Sequence, residues 1–297
     1  MMMDLRINLK IGGQILNTFN MDFIQGERFI KIADFTYAPE LRSGDDYMKL
    51  QNTYYWKIVK PVNIIYTHSM YVKQLFEEIV GHLERFVVIT HNGDNNIDGT
   101  YVVPGNVIRW FAQNALIDHP RVEALPIGLE NSMWFRPLRK REKMIEKLQE
   151  EKNYKNLVYM NYNIATNPRE REPVFNLFKD KPWVTAVRGV NGKGFDYYLD
   201  DIYNHKYVIC PAGNGVDTHR FWEALYMKSI PVVKRNVNNW FYRDLPVLYV
   251  NDWEDVTEEL LNNAWPLFTK GTYKMEMLTF EYWKNKILNC KWEAERS

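Results

Sequence analysis

YVICPAGNGVDTHRFWEALYMKSIPVV, residues 207–233, runs apolar, then glycine-rich, then helical, then apolar again. YVIC suits a central parallel strand, because such strands read as short continuous apolar runs. Pro211 ends it. Gly213 and Gly215 admit backbone angles closed to other residues and let a ligand approach the main chain. Asp217 or Thr218 caps the helix that follows. On that helix His219, Arg220 and Glu223 share one arc, since positions three and four apart are neighbours. Phe221, Trp222, Ala224 and Leu225 fall on the opposite side and face the core. Ser229 and Ile230 end the helix, Pro231 cannot continue it, and IPVV is the next strand. A helix start offers free N–H groups and partial positive charge, which suits phosphate. Arg220 in that first turn is unfavourable by about a few tenths of a kcal/mol. A guanidinium–phosphate hydrogen bond contributes roughly 1.5–3 kcal/mol, so an anion at this place accounts for the arginine. The plainer alternative is a strand-to-helix turn with incidental glycines and an arginine paired to a surface carboxylate. The spacing is neither G-x-x-x-x-G-K-[ST] nor G-x-G-x-x-G.

The same alternation extends in both directions. Towards the N-terminus, RFIKIADF reads as strand-like, LRSGDDY as a polar turn and VNIIYT as a buried strand. MYVKQLFEEIVGHL has helical spacing, RFVVIT is a strand, VIRWFAQNAL looks helical and VEALPIGL extended. RPLRKREKMIEKLQEEKNYK, 136–155, reads as a solvated linking helix and marks the domain boundary. After it come NLVYM (strand), REREPVFNLF (helix), WVTAVRG (strand) and FDYYLDDIYN (helix), leading back into residues 207–233. From Trp253 onward the chain is mostly helical. Strand–helix alternation of this kind builds parallel α/β sheets. Two such units are expected, at 1–145 and 146–255, with helices at 256–297 packing back across the junction. A cleft between them is the natural ligand site.

The chain has 297 residues, enough for two ordinary cores. Lys and Arg number 38 and Asp and Glu 37, a net charge of +1, so no global field draws it to nucleic acid or anionic lipid. The 15% aromatic content suits stacking on sugars or bases as well as a core. With only two cysteines, Cys210 and Cys290, no disulfide framework is expected and a reducing compartment is favoured. MMMDLRINLKIGG lacks the basic and apolar regions of a signal peptide, and no apolar run of 18 residues occurs. A soluble cytoplasmic protein without a membrane span is expected.

CPAGNGVDTHRFWEALYMKSIPVV resembles the donor-binding segment of exostosin-like glycosyltransferases, a group with members in large DNA viruses and bacteria. HNGDN at 91–95, WFAQNALIDHPRVEALPIGLEN at 110–131 and NYNIATNPRERE at 161–172 extend the resemblance over most of residues 60–250. It implies the GT-B fold, two Rossmann-like parallel-sheet domains facing across a cleft. It also implies transfer of a sugar from a nucleotide-diphosphate donor, UDP ahead of GDP, to a glycan or glycoprotein acceptor. The donor would sit on the C-terminal half against Gly213, Asn214, Gly215, Asp217, Thr218, His219 and Arg220. Glu223 would accept from the ribose hydroxyls. In NYNIATNPRERE, Asn167 and Pro168 read as a helix start, and Arg169 or Arg171 would reach the diphosphate. Glu170 and Glu172 are their alternative partners. Arg188 is a further candidate for a base or phosphate contact.

Inverting transfer needs a general base on the acceptor side. Asp94, after RFVVIT, is the first candidate, with His91 and His68 as the alternatives; a loop Asp otherwise makes a turn hydrogen bond. Neither Asp200–Asp201 nor Asp45–Asp46 suits a shared metal behind a strand, so metal-independent chemistry with no cofactor is expected. This chain lacks the membrane anchor of animal and plant exostosins, which argues for a cytoplasmic enzyme, inside the host if viral. A metallophosphatase is disfavoured by six histidines without D-x-H or G-N-H. A non-catalytic sugar-binding module would need no Arg-bearing glycine loop.

Overall fold

Apolar runs rich in Val, Ile and Tyr pair into two parallel sheets. In the computed structural model, residues 7–11, 14–18, 22–38, 61–132, 137–150, 152–189 and 195–296 are described. Strands β1 (Ile7–Ile11) and β2 (Gln14–Thr18) form an antiparallel hairpin, and α1 (Gly26–Ile30) follows. The first large sheet runs β3 (Phe35–Tyr37), β4 (Val62–His68), β5 (Arg85–His91), β6 (Val107–Ala112) and β7 (Val122–Ala124), paired in chain order and all parallel. Helix α2 (Val72–Ile79) joins β4 to β5 and buries Val72, Leu75, Phe76 and Ile79 on one face. Turns and loops make the next two connections.

Two expectations fail here. VIRWFAQNAL is not a helix. Residues 107–112 are β6, a central strand bonded to β5 and β7, and Asn114 turns left-handed (φ 57°) directly after it. β-Branched and aromatic side chains favour a pleated surface buried on both faces, and that outweighed apparent helical spacing. RFIKIADF is likewise no strand: α1 takes its start, and β3 begins only at Phe35. LRSGDDY lies outside the described residues.

Helix α3 (Pro137–Gln149) leads into the second unit. It is not merely a solvated linker, because Met144 and Leu148 are buried in the main core. Its Lys143 and Lys147 pair with Asp200. Beyond it come β8 (Asn156–Tyr162), α4 (Pro168–Phe178), β9 (Val184–Arg188), α5 (Phe195–Asn204), β10 (His205–Ile209), α6 (His219–Tyr226), β11 (Ile230–Lys234), α7 (Val237–Trp240) and β12 (Leu248–Val250). The sheet order is β12-β11-β10-β8-β9, all parallel. The chain therefore steps outward from β8 to β9, then returns past β8 to β10. The winding direction reverses between β8 and β10.

Period-two alternation assigns the faces of this sheet. Val158, Met160 and Tyr162 of β8 and Tyr207 and Ile209 of β10 pack with Val174 and Phe178 of α4. Leu261, from α8 (Glu258–Lys270), joins them. On the other face, Tyr159, Val208 and Cys210 merge through Trp222, Leu225 and Tyr226 of α6 into the core of the first sheet. Each large apolar side chain so buried contributes about 1.5–3 kcal/mol. The last helix, α9 (Phe280–Arg296), packs against β4, β5 and β6, far from the strands that precede it in sequence. Lys291 ties it there through Asp34 Oδ2 at 2.6 Å, and Arg85 donates to the Ala294 carbonyl.

Helix α6 stops at Tyr226, earlier than its sequence implies. Lys228 takes a left-handed φ of 58° and donates from Nζ to the Leu148 carbonyl, and Ile230 already belongs to β11. Cys210 and Cys290 are free thiols. Among the described residues, no helix is long and apolar enough to cross a membrane.

Candidate active site at the winding reversal

Ligands of open α/β sheets bind outside the carboxyl ends of the strands where the winding reverses. A cavity of about 800 Å³ lies at that place. The end of β8, the loop after it and α4 supply Asn161, Asn163 and Arg171, and the loop and helix after β10 supply Gly213–Gly215, Arg220 and Glu223. The opposing wall comes from the first half: Asp94 after β5, and Ile127 and Glu130 after β7.

Two guanidinium groups dominate its floor. Arg171 is buried; its Nε donates to the Ala212 carbonyl (2.9 Å) and its Nη1 to the Asn163 carbonyl (2.8 Å). Arg220, in the first turn of α6, has its Nε buried with no hydrogen-bond partner. Their central carbons stand 5.6 Å and 5.5 Å from the centroid of one ring, Tyr162. The ring face attracts both cations, yet they repel each other. Burial, and then the Arg220 charge, lowers the Arg171 pKa to about 10, so it remains a cation at neutral pH. Burial also opposes the Arg220 charge, but Tyr198, Cys210, Glu223 and Tyr162 more than offset it and raise its pKa. Among the described residues, neither arginine has an ion-pair partner.

The glycines act by space, not by φ. Among the described glycines only Gly128 and Gly189 are left-handed, at φ 65° and 72°. A Cβ on Gly213 would stand 2.8 Å from Arg171 Nη2, and one on Gly215 would stand 2.4 Å from Asn114 Nδ2. Gly213 thus lets a guanidinium lie against the main chain, and Gly215 lets the first half approach. Asn167 caps α4 by accepting from the Glu170 N–H, and its Nδ2 donates to the Gly213 carbonyl (3.0 Å), joining the two loops.

Glu223 is buried and accepts from the Tyr198 hydroxyl through Oε2 at 2.6 Å. Asp94 is exposed and accepts from Asn214 Nδ2 through Oδ2 at 3.0 Å, a bond between the two walls. Asp217 does not cap α6. Its Oδ2 accepts from the Ile127 N–H (2.8 Å) and its Oδ1 from Trp222 Nε1 (2.9 Å). Burial raises its pKa to about 7 despite these donors. Thr218 is the N-cap but makes no capping bond with its side chain. His219 Nδ1 is 2.7 Å from the Gly128 carbonyl.

The remaining candidates lie elsewhere. Arg169 is exposed and does not line the cavity; Arg188 is exposed over Phe175, 5.9 Å from its ring centroid. His91 is buried behind the wall. Its Nδ1 accepts from the Asn92 N–H (2.8 Å) and its Nε2 lies 3.0 Å from the Pro126 carbonyl. Burial lowers its pKa to about 4. His68 caps the turn after β4 by accepting from the Met70 N–H (3.2 Å). Of the three base candidates only Asp94 borders the cavity.

Sequence reasoning passed over Glu130, Tyr162, Tyr198 and Asn114. Glu130 and Asn114 lie inside WFAQNALIDHPRVEALPIGLEN, and Tyr162 is the central tyrosine of NYN. A signal was present for all three: polar or aromatic residues at the carboxyl end of a parallel strand or in the loop that follows it. Tyr198 had none, because its position on α5 is set by packing. Among the described residues no three His, Cys, Asp or Glu side chains gather as metal ligands; Asp45–Asp46 lies outside those residues. No protein-family model matches the chain, and neither does any curated protein.

Proposed function

We propose that the chain is an inverting, metal-independent glycosyltransferase of GT-B type that takes its sugar from a nucleotide-diphosphate donor, UDP ahead of GDP. The observation that carries this reading is the pair of guanidiniums, Arg171 and Arg220, that among the described residues form no ion pair and lie beside the glycine loop at the reversal point. A diphosphate supplies an anion between them. Glu223, oriented by Tyr198, accepts from the ribose hydroxyls. The acceptor, a glycan hydroxyl, enters from the wall of Asp94 and Glu130. Asp94 takes the hydroxyl proton as the oxygen attacks the anomeric carbon from the face opposite the diphosphate. The bond from that carbon to the diphosphate breaks, and the departing oxygen keeps the electron pair. Fixed cations aimed at developing charge lower such a barrier without reorganising, which is the part a metal ion plays in other transferases.

Titration of UDP and GDP into the protein, with a hydrolysis screen over nucleotide sugars, tests the reading. Arg220→Ala should weaken nucleotide binding by roughly tenfold to a hundredfold, matching a charged hydrogen bond of about 1.5–3 kcal/mol. Asp94→Asn should lower transfer by about 10²–10⁴ and leave nucleotide affinity intact. Transfer should survive EDTA. Failure of both nucleotides to bind, or an Arg220→Ala protein that binds them normally, ends the proposal.

A further inference from the structure

Asn214, at the tip of the glycine loop, meets Asp94 of the opposite wall: its Nδ2 donates to Asp94 Oδ2 at 3.0 Å, and both residues line the cavity. Both side chains are exposed, yet the main chain that carries each is fixed. Next to Asp94, Gly93 is packed so closely that a Cβ there would stand 1.9 Å from Ser69 Oγ. The Gly93 carbonyl accepts from Gln113 Nε2 (3.0 Å) and from Asn114 Nδ2 (3.1 Å). On the other side, buried Gly213 and Gly215 flank Asn214. The Gly213 carbonyl accepts from Asn167 Nδ2 (3.0 Å), and its N–H donates to the Gly215 carbonyl (2.9 Å). The Asp94 side chain takes nothing from its own loop. Among the described residues it accepts no turn hydrogen bond and joins no ion pair; Asn214 is its one hydrogen-bond partner, and Oδ1 has none. An exposed aspartate otherwise samples several staggered rotamers.

We propose that Asn214 is a positioning residue for the base: it belongs to the donor loop but acts through Asp94. This rests on the transferase reading, in which Asp94 takes the acceptor proton. The Asn214 amide holds the carboxylate by Oδ2 and leaves Oδ1 for the incoming hydroxyl. The hydroxyl O–H bond breaks, its proton passes to Oδ1, and its electron pair forms the bond to the anomeric carbon. The amide nitrogen can only donate, so it takes no proton itself. A reacting group must be held within about 0.5 Å of its productive position, and a misplacement of about 1 Å costs roughly a hundredfold in rate. The base is thus assembled from both halves. Its carboxylate comes from the loop after β5 and its orientation from the loop after β10. Asn214, expected on the donor, is engaged on the opposite wall instead.

Steady-state kinetics on the full chain test it, reading the nucleoside diphosphate released from a panel of UDP and GDP sugars, with methyl glycosides and water as acceptors. Asn214→Ala should lower kcat about tenfold to a hundredfold and leave donor KM and UDP affinity unaltered. Asn214→Asp keeps the size of the side chain, removes the donor and sets a second carboxylate against the first, so it should lose at least as much. In an Asp94→Asn background, Asn214→Ala should cost nothing further, because residues that act as one unit are not additive. A loop merely deformed by the substitution would weaken UDP binding and multiply the losses. The inference is overturned if Asn214→Ala turns over normally, if it weakens UDP while kcat holds, or if the losses multiply in the double variant. Those results leave the transferase reading standing. A wild-type chain that releases no nucleotide from any of the sugars ends that reading and this inference together, before any variant is compared.

Discussion

His91 illustrates how a residue that looks chemical becomes structural. It ends a strand, as a catalytic base often does, but β5 is central and its last side chain points into the core. Nε2 faces the Pro126 carbonyl, which only accepts, so the neutral ring carries its proton there, while Nδ1 has both the Asn92 N–H (2.8 Å) and Asn92 Oδ1 (3.1 Å) beside it. Its pKa is lowered to about 4, chiefly by burial, against about 6.5 for a free imidazole. The folded chain therefore binds fewer protons there than the unfolded chain between these values. This contribution to stability is complete above pH ~6.5 and is lost as pH falls towards 4. Long-range ¹H–¹⁵N spectra should show a neutral Nε2–H ring down to about pH 4; a transition near 6.5 would contradict the burial. At this scale Arg220 and Glu223 were legible, because helical spacing alone put them on the arc away from Phe221 and Trp222. That neither His68 nor His91 lines the cavity was not legible, since the direction of a strand's last side chain is set by its pairing with neighbouring strands.

At the scale of elements, one amide bridges the loop after β5 and the loop before α6, beside the Asp94–Asn214 bond. Asn114, just past β6, accepts from the Asp217 N–H (2.9 Å) and donates to the Gly93 carbonyl (3.1 Å). Gly215 lies against the same amide. Gly215→Ala should therefore force Asn114 or the loop to move. The expected result is a destabilisation of about 1–3 kcal/mol, read by urea unfolding, and nucleotide affinity at least about tenfold lower. An unchanged protein would mean that the loop yields freely. The segments α4, α5 and α6 were readable because their apolar spacing and caps agree with their tertiary packing. VIRWFAQNAL was not, because its register is decided by β5 and β7, which are neighbours in space and not in sequence. α3 was half readable: its charges marked it as a surface helix, while the burial of Met144 and Leu148 depends on what packs over them.

For the whole molecule, the parallel α/β class could be read from alternation alone, but the order of the strands could not. The reversal between β8 and β10, which places the cavity, is a property of the crossovers. The return of α9 to the first sheet is equally long-range, and Lys291 is its anchor. Lys291→Met removes the cation from a partly buried Asp34 and should cost about 3–5 kcal/mol in urea unfolding. The double variant Asp34→Asn with Lys291→Met should recover most of that loss; equal losses in both would show that the charge pair does not matter. The Asn114 amide has a mechanical consequence as well. It is one stitch of several between the halves, with Ile127 on Asp217, Asn214 on Asp94 and Ala115 on Asn238, so load on the seam is shared and cutting one stitch leaves the rest closed. Spin labels across the cavity mouth should then keep their distance in Asn114→Ala.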